Sequence, residues 1–203
     1  MQLSNPGSPA LLHQQRRPLN RMRNPGFLVQ SASLADQTVE LLAISPHQRI
    51  LEIGYGEGRT LQRVAQALKK GFLAGTDESF AMYQKSSARN RRYIGTQLMQ
   101  LHLGGIGDLA YPHHYFDSIY VIGNLFSGWK DPSLAYYQLI PLLRCGGKLL
   151  LIDPATKSSP TISLQLRAAQ IRLDLLKAGF LEVITCVQAG QPDRPLASLA
   201  HKY

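Results

Sequence analysis

The sequence predicts a doubly wound α/β fold, a mostly parallel sheet with helices on both faces that ends in an antiparallel hairpin. Three observations predict it. From residue 33 onward, apolar strand-like runs alternate with amphipathic helical segments. The run Ile50-Leu51-Glu52-Ile53 passes straight into Gly54-Tyr55-Gly56-Glu57-Gly58 and then a helical segment, the strand–turn–helix unit of a parallel sheet. The last two apolar runs are joined by about six residues, too few for a crossover, so they pair antiparallel.

Residues 1–32 are rich in Pro, Gly, Asn, Gln and Arg with no sustained period, and read as a basic arm or lid ahead of one domain over 33–203. Ser33 caps a helix to about residue 43, with Asp36 at its third position and Leu34, Val39, Leu41 and Leu42 as its apolar contacts. The first strand covers about 48–53. The helix over 59–70 places Leu61, Val64, Ala65 and Leu68 on one face and stops at Gly71. A strand over 72–76, a helix over 79–92 and a strand over 97–103 follow. Next come a strand over 117–122, a helix over 132–143, a strand over 148–152 introduced by Cys145-Gly146-Gly147, and a helix over 161–178 closed by Gly179. Strands over 181–189 and 196–202 flank the turn-rich Gly190-Gln191-Pro192-Asp193.

With 203 residues, 44% of them hydrophobic, the chain can bury one domain and is short for two. No run of about 18 apolar residues is present, so no membrane span is expected. The first residues lack the apolar core of a secretory signal, which makes a cytoplasmic protein the expectation. Cys145 and Cys186 are far apart and outside any metal-ligand spacing; two buried, reduced thiols and no metal site are expected. The net charge of +9 comes partly from Arg16, Arg17, Arg21 and Arg23, which precede the first acidic residue, and from Lys85, Arg89, Arg91 and Arg92. The pattern suits a solvated tail plus one basic helix face; a nucleic-acid surface is the other reading, though interleaved aromatics are missing.

Strand, glycine turn and helix N-terminus together form a site for a nucleotide-like ligand. The spacing departs from Gly-x-Gly-x-x-Gly, because the glycines fall at 54, 56 and 58 and position 59 is Arg. With Glu52 two residues ahead, the stretch resembles the first motif of class I S-adenosylmethionine-dependent methyltransferases, acidic-x-Gly-x-Gly-x-Gly. Four further segments are similar to that family in the same order. Gly75-Thr76-Asp77-Glu78 matches the second motif; Gly107-Asp108-Leu109-Ala110-Tyr111-Pro112 matches the segment after the third strand. Strand 117–122 running into Gly123-Asn124 matches the fourth motif, and Leu142-Leu143-Arg144-Cys145-Gly146-Gly147 matches the turn that ordinarily carries Pro where Cys145 stands. The run Asn124-Leu125-Phe126-Ser127-Gly128-Trp129, followed by Asp131-Pro132, is similar to the ubiquinone- and menaquinone-biosynthesis and small-molecule methyltransferases.

The resemblance implies a Rossmann-like, seven-stranded sheet of order 3-2-1-4-5-7-6 with one antiparallel strand, and S-adenosylmethionine as cofactor. It implies that Gly54, Tyr55, Gly56 and Gly58 receive the methionine portion, that Glu52 balances its charge, and that Asp77, with Glu78 beside it, holds the ribose hydroxyls. Asp108 and Gly107 would read the adenine, with Leu109 against the ring and Gly123 and Asn124 beside the methyl-transfer site. Tyr111, His113, His114 and Asp153 are the candidate bases for a methyl acceptor. The acceptor expected is a small, partly apolar molecule, covered by the arm around Arg21, Phe27 and Leu28. Position 124 lacks the Pro-Pro that base N-methyltransferases carry there, and neither cysteine follows a proline as cytosine C5-methyltransferases require. RNA methylation by another route, through the basic surface, and a non-catalytic partner-binding subunit are the alternatives.

Overall fold

The computed structural model describes residues 33–123, 131–153, 161–186 and 196–203. Its strands alternate in side-chain direction, and both faces of the sheet are apolar, as a covered parallel sheet requires. Leu51 and Ile53 of β1 (Arg49–Ile53), Ile119 and Val121 of β4 (Phe116–Ile122), and Leu149 and Leu151 of β5 (Leu143–Asp153) join one core. Ile50, Tyr120, Leu150 and Ile152 join the other. The second core is covered by α1 (Leu34–Leu42), α2 (Arg59–Ala67) and α3 (Phe80–Gly95). The first is covered by α4 (Pro132–Leu139) and α5 (Thr161–Lys177).

With β2 (Phe72–Asp77), β3 (Met99–Leu103), β6 (Glu182–Cys186) and β7 (Leu196–His201), the strands form one sheet of order β3-β2-β1-β4-β5-β7-β6. β1 lies parallel to β2 and β4, and β7 runs antiparallel to both β5 and β6. The predicted order and the single antiparallel strand are therefore both present. The order reverses between β1 and β4, which places a crevice at the carboxyl ends of these strands.

Several boundaries differ from expectation for identifiable reasons. The helix expected over 59–70 stops at Ala67, where Leu68 turns to extended backbone. Gly71 serves close approach instead, since a Cβ there would collide with the Gln48 carbonyl. The helix expected over 132–143 ends at Leu139, and Pro141 falls in a short 3-10 turn, Ile140–Leu142. β5 then starts early, at Leu143. Its register with β4 jumps from Phe116↔Leu143 to Ser118↔Lys148, so the Gly-Gly segment is a bulge within one strand. That bulge exposes Cys145, and Cys186 is half-buried at the end of edge strand β6; neither is in a disulfide, and neither is buried as expected. The turn at 190–193 lies outside the described residues.

The β3–β4 connection carries only the 3-10 turn Ile106–Asp108 and a loop. Aromatic packing takes the place of a crossover helix there. Tyr111 stacks on Tyr115 at 5.2 Å between ring centroids and meets Phe116 edge-on at 4.9 Å.

Candidate functional site

The turn after β1 is held open by backbone geometry. Gly54, Gly56 and Gly58 have φ of 73°, 52° and 74°, a region that side chains disfavour. Gly58 is further constrained, because a Cβ there would collide with Ser86 Oγ and the Asn90 amide of α3. Asn90 Nδ2 in turn donates to the Gly58 carbonyl at 3.1 Å. Tyr55 is buried, and its hydroxyl donates to the His102 carbonyl at 3.0 Å, tying the turn to β3.

Asp77, at the tip of β2, braces the same turn. Its Oδ2 accepts from Gly56 N at 2.8 Å and its Oδ1 from Ser79 N at 2.9 Å. Each carboxylate oxygen keeps a further lone pair. The cap of α3 is Ser79, which accepts from Met82 N, so Asp77 is not needed for that purpose.

A cleft of about 600 Å³ opens beside this carboxylate. Gly54, Asp77 and Glu78 form one wall, Gly105, Ile106 and Gly107 the second, and Asp131, Leu134 and Gln138 of α4 the third. Asp131 caps α4, accepting from Ser133 N and Leu134 N, and so fixes the third wall. The volume lies in the range of small-molecule and cofactor sites. Ile106, Leu134 and Gln138 were not among the sequence candidates. The signal for Leu134 and Gln138 is the 131, 134, 138 spacing, which puts one helix face toward the cleft.

Glu52, which precedes Ile53 and Gly54 of the cleft lining, is 2% exposed. Its Oε2 accepts the Tyr120 hydroxyl at 2.7 Å. Burial pushes its carboxyl up to about 8; the Tyr120 hydrogen bond opposes this and the Asp77 charge adds to it.

The other candidates are placed as follows. Asp108 is exposed and off the cleft wall, with its Oδ2 accepting from Gly105 N at 2.8 Å. Leu109 packs on the core below, and Ile106 takes the place on the cleft. Gly123 closes β4 with φ of 142° and donates its N–H to the Ile152 carbonyl; Asn124 lies outside the described residues. The loop from β3 runs back across the sheet, so Tyr111, His113 and His114 are not brought to the cleft. Tyr111 donates to Gln100 Oε1 and lies 2.7 Å from His102 Nε2; burial pushes its phenol up to about 12. His113 is exposed. His114 N donates to the Pro141 carbonyl, and its Nδ1 lies 3.3 Å from Lys202 Nζ. Those contacts are at the amino end of β4, roughly 20 Å from its carboxyl end at about 3.3 Å per residue. Asp153 stands at the carboxyl end of β5, 3% exposed and 3.2 Å from Arg167 Nη1. Burial raises its carboxyl while Arg167 draws it down. Among the described residues no cluster of His, Cys, Asp and Glu could hold a metal ion, and no helix is long and apolar enough to cross a membrane.

Comparison with known proteins places this geometry. A methyltransferase-domain family model matches residues 50–147. The chain is 26% identical over 174 residues to YdaC, an uncharacterized methyltransferase of Bacillus subtilis, covering 85% of this chain and 93% of that one. It is 26% identical over 132 residues to the chloroplastic 2-methyl-6-phytyl-1,4-hydroquinone methyltransferase of Arabidopsis thaliana, covering 64% of this chain and 37% of that protein. Among solved structures, a SAM-dependent methyltransferase from Aquifex aeolicus superposes with a TM-score of 0.67 at 15% identity, over 92% of this chain and 98% of that one. This last likeness is one of fold.

Proposed function

We propose that the chain is a class I S-adenosylmethionine-dependent methyltransferase and that it methylates an oxygen, nitrogen or carbon nucleophile of a small, partly apolar molecule. The observation that carries the reading is the Asp77 carboxylate, held by two backbone amides beside a glycine turn on a cleft of about 600 Å³.

The donor set suits the cofactor. Asp77 offers its remaining lone pairs to the ribose hydroxyls, with Glu78 next to it on the wall. The turn at 54–58 receives the methionine portion. Glu52 supplies an acid that has no cation partner among the described residues, the chemistry that a positively charged methionine end needs. Ile106 and Leu134 offer apolar surface to the adenine ring. When bound, the cofactor supplies a methyl group already activated by positively charged sulfur. The protein then has to align the acceptor with that methyl group and exclude water. An acceptor that keeps its proton until attack also needs a base. Among the sequence candidates, Asp153 is the one at the cleft end of the sheet.

Two observations support a small acceptor. Leu134, 56% exposed, gives the cleft an apolar rim, and one relative is named for methylation of a prenylated hydroquinone. RNA is the competing acceptor, favoured by the exposed Arg91 and Arg92 of α3. Lys85 and Arg89 on the same helix are engaged by Glu57. The deciding experiment incubates the protein with methyl-labelled cofactor and a cell extract. Label in an organic-extractable fraction is expected. Label confined to nuclease-sensitive material contradicts the small-molecule reading, and cofactor binding without any transfer favours a partner-binding subunit.

A further inference from the structure

Glu52 is a buried acid that has no counter-ion among the described residues. Its Oε2 accepts the Tyr120 hydroxyl at 2.7 Å, and no lysine or arginine among the described residues forms an ion pair with it. On the β2 side its register partner is Gly75, which brings no side chain. The charge acting on it from that strand is the Asp77 carboxylate, of the same sign. On the β4 side stands Tyr120, its register partner. The phenol of Tyr55, in the turn above, is directed to the His102 carbonyl. Burial without a cation favours the protonated acid. Yet Glu52 immediately precedes Ile53 and Gly54, which line the cleft. A cation arriving there supplies the partner that the fold withholds.

We propose that Glu52, oriented by Tyr120, is a proton-linked charge sensor: neutral in the free protein, it releases its proton when the positively charged sulfur of S-adenosylmethionine binds, and so favours the cofactor over its thioether product. The inference rests on the assignment of the cleft to that cofactor. On binding, the Glu52 O–H bond breaks and the proton passes to solvent. After transfer the sulfur is uncharged, Glu52 regains a proton from solvent, and the product is held less strongly. The cycle is proton-neutral at this site. Tyr120 is a positioning residue, since its hydroxyl donates to the carboxylate and supports the ionised form.

Calorimetric titration with S-adenosylmethionine at pH 6, in two buffers of different ionisation enthalpy, counts the protons released. At that pH the cofactor's own α-amino group, titrating near about 7.7–8.0, is already protonated, so the release reports the protein. Close to one proton is expected for the wild type, clearly fewer with S-adenosylhomocysteine, and none for Glu52→Gln. Between about pH 5.5 and 7 the wild-type affinity should rise by up to about tenfold per pH unit, the limit for one linked proton, while Glu52→Gln stays flat. Tyr120→Phe should keep the release and bind more weakly; unchanged affinity removes Tyr120 from the assignment. Binding without proton release in the wild type, or equal release in Glu52→Gln, overturns the proposal while leaving the cofactor site intact. The wild-type count alone suffices if the variant does not fold. Absence of any binding heat from folded protein overturns the cofactor assignment and the sensor with it.

Discussion

Gly58 and Glu52 bear opposite kinds of constraint around one turn. Gly58 needs a left-handed backbone, and its α-carbon has no room for a methyl group between Ser86 and Asn90. Gly58→Ala combines backbone strain with a steric clash, and should lower unfolding free energy by roughly 2–4 kcal/mol in a denaturant titration. Glu52 instead titrates out of range, with its folded carboxyl raised by burial from 4.5 to about 8. A raised acid contributes its stability fully below the unfolded value and loses it as pH climbs through the folded one. Glu52→Gln keeps the shape of the protonated acid and cannot ionise. Wild type and variant should therefore match near pH 4.5, and the variant should gain on the wild type toward pH 8, at no more than about 1.4 kcal/mol per unit. Thermal melts across that window check it. The motif around Glu52 was legible in the sequence because glycine spacing and a strand-end acid are local features. The inward turn of Asp108 toward Gly105 was not, because it depends on a backbone amide three residues away being free to donate.

Elements show the same division between local and tertiary causes. α1 was legible from its cap, Ser33, and in the structure Ser33 and Ser79 each accept an amide of the first turn of α1 and α3. The end of α4 and the start of β5 were not, since the Arg144–Gly147 bulge is set by pairing with β4 and β7. The β3–β4 loop also hides its path. The aromatic packing of Tyr111, Tyr115 and Phe116, with the Tyr111 contacts to Gln100 and His102, draws it across the sheet and takes His113 and His114 away from the cleft. α1 docks through a buried cation, Lys148 of β5, whose ammonium donates to the Leu42 carbonyl at the helix end. Burial lowers that amine to about 8, with Asp117 opposing and Arg144 reinforcing the shift. A lowered amine disfavours the folded state at pH below about 8, and the penalty is relieved as pH rises toward 10.5. Wild-type stability should thus gain on Lys148→Met between pH 8 and 10, by up to about 1.4 kcal/mol per unit. A constant difference across that range contradicts this assignment.

At the scale of the whole molecule, the sheet order follows from strand–helix alternation, and the switch point between β1 and β4 locates the cleft before any side chain is considered. The position of the cleft was accordingly legible. The third wall was not, because Leu134 and Gln138 reach the cleft only once α4 packs over the turn at 106–108. Residues 1–32, expected from the sequence to cover the acceptor as a lid, lie outside the described residues. Removal of residues 1–30 should weaken cofactor binding and slow turnover; a fully active truncated protein contradicts the lid. If RNA were the acceptor, binding to bulk RNA would fall steeply with salt, as phosphate contacts do. The most direct measurement is a calorimetric titration of the protein with S-adenosylmethionine, beside Asp77→Ala. One site with a micromolar dissociation constant is predicted, weakened in the variant by about 1.5–3 kcal/mol, the scale of charge-assisted hydrogen bonds. Equal affinity in both proteins, or no binding by folded wild type, would contradict the placement of the cofactor at Asp77.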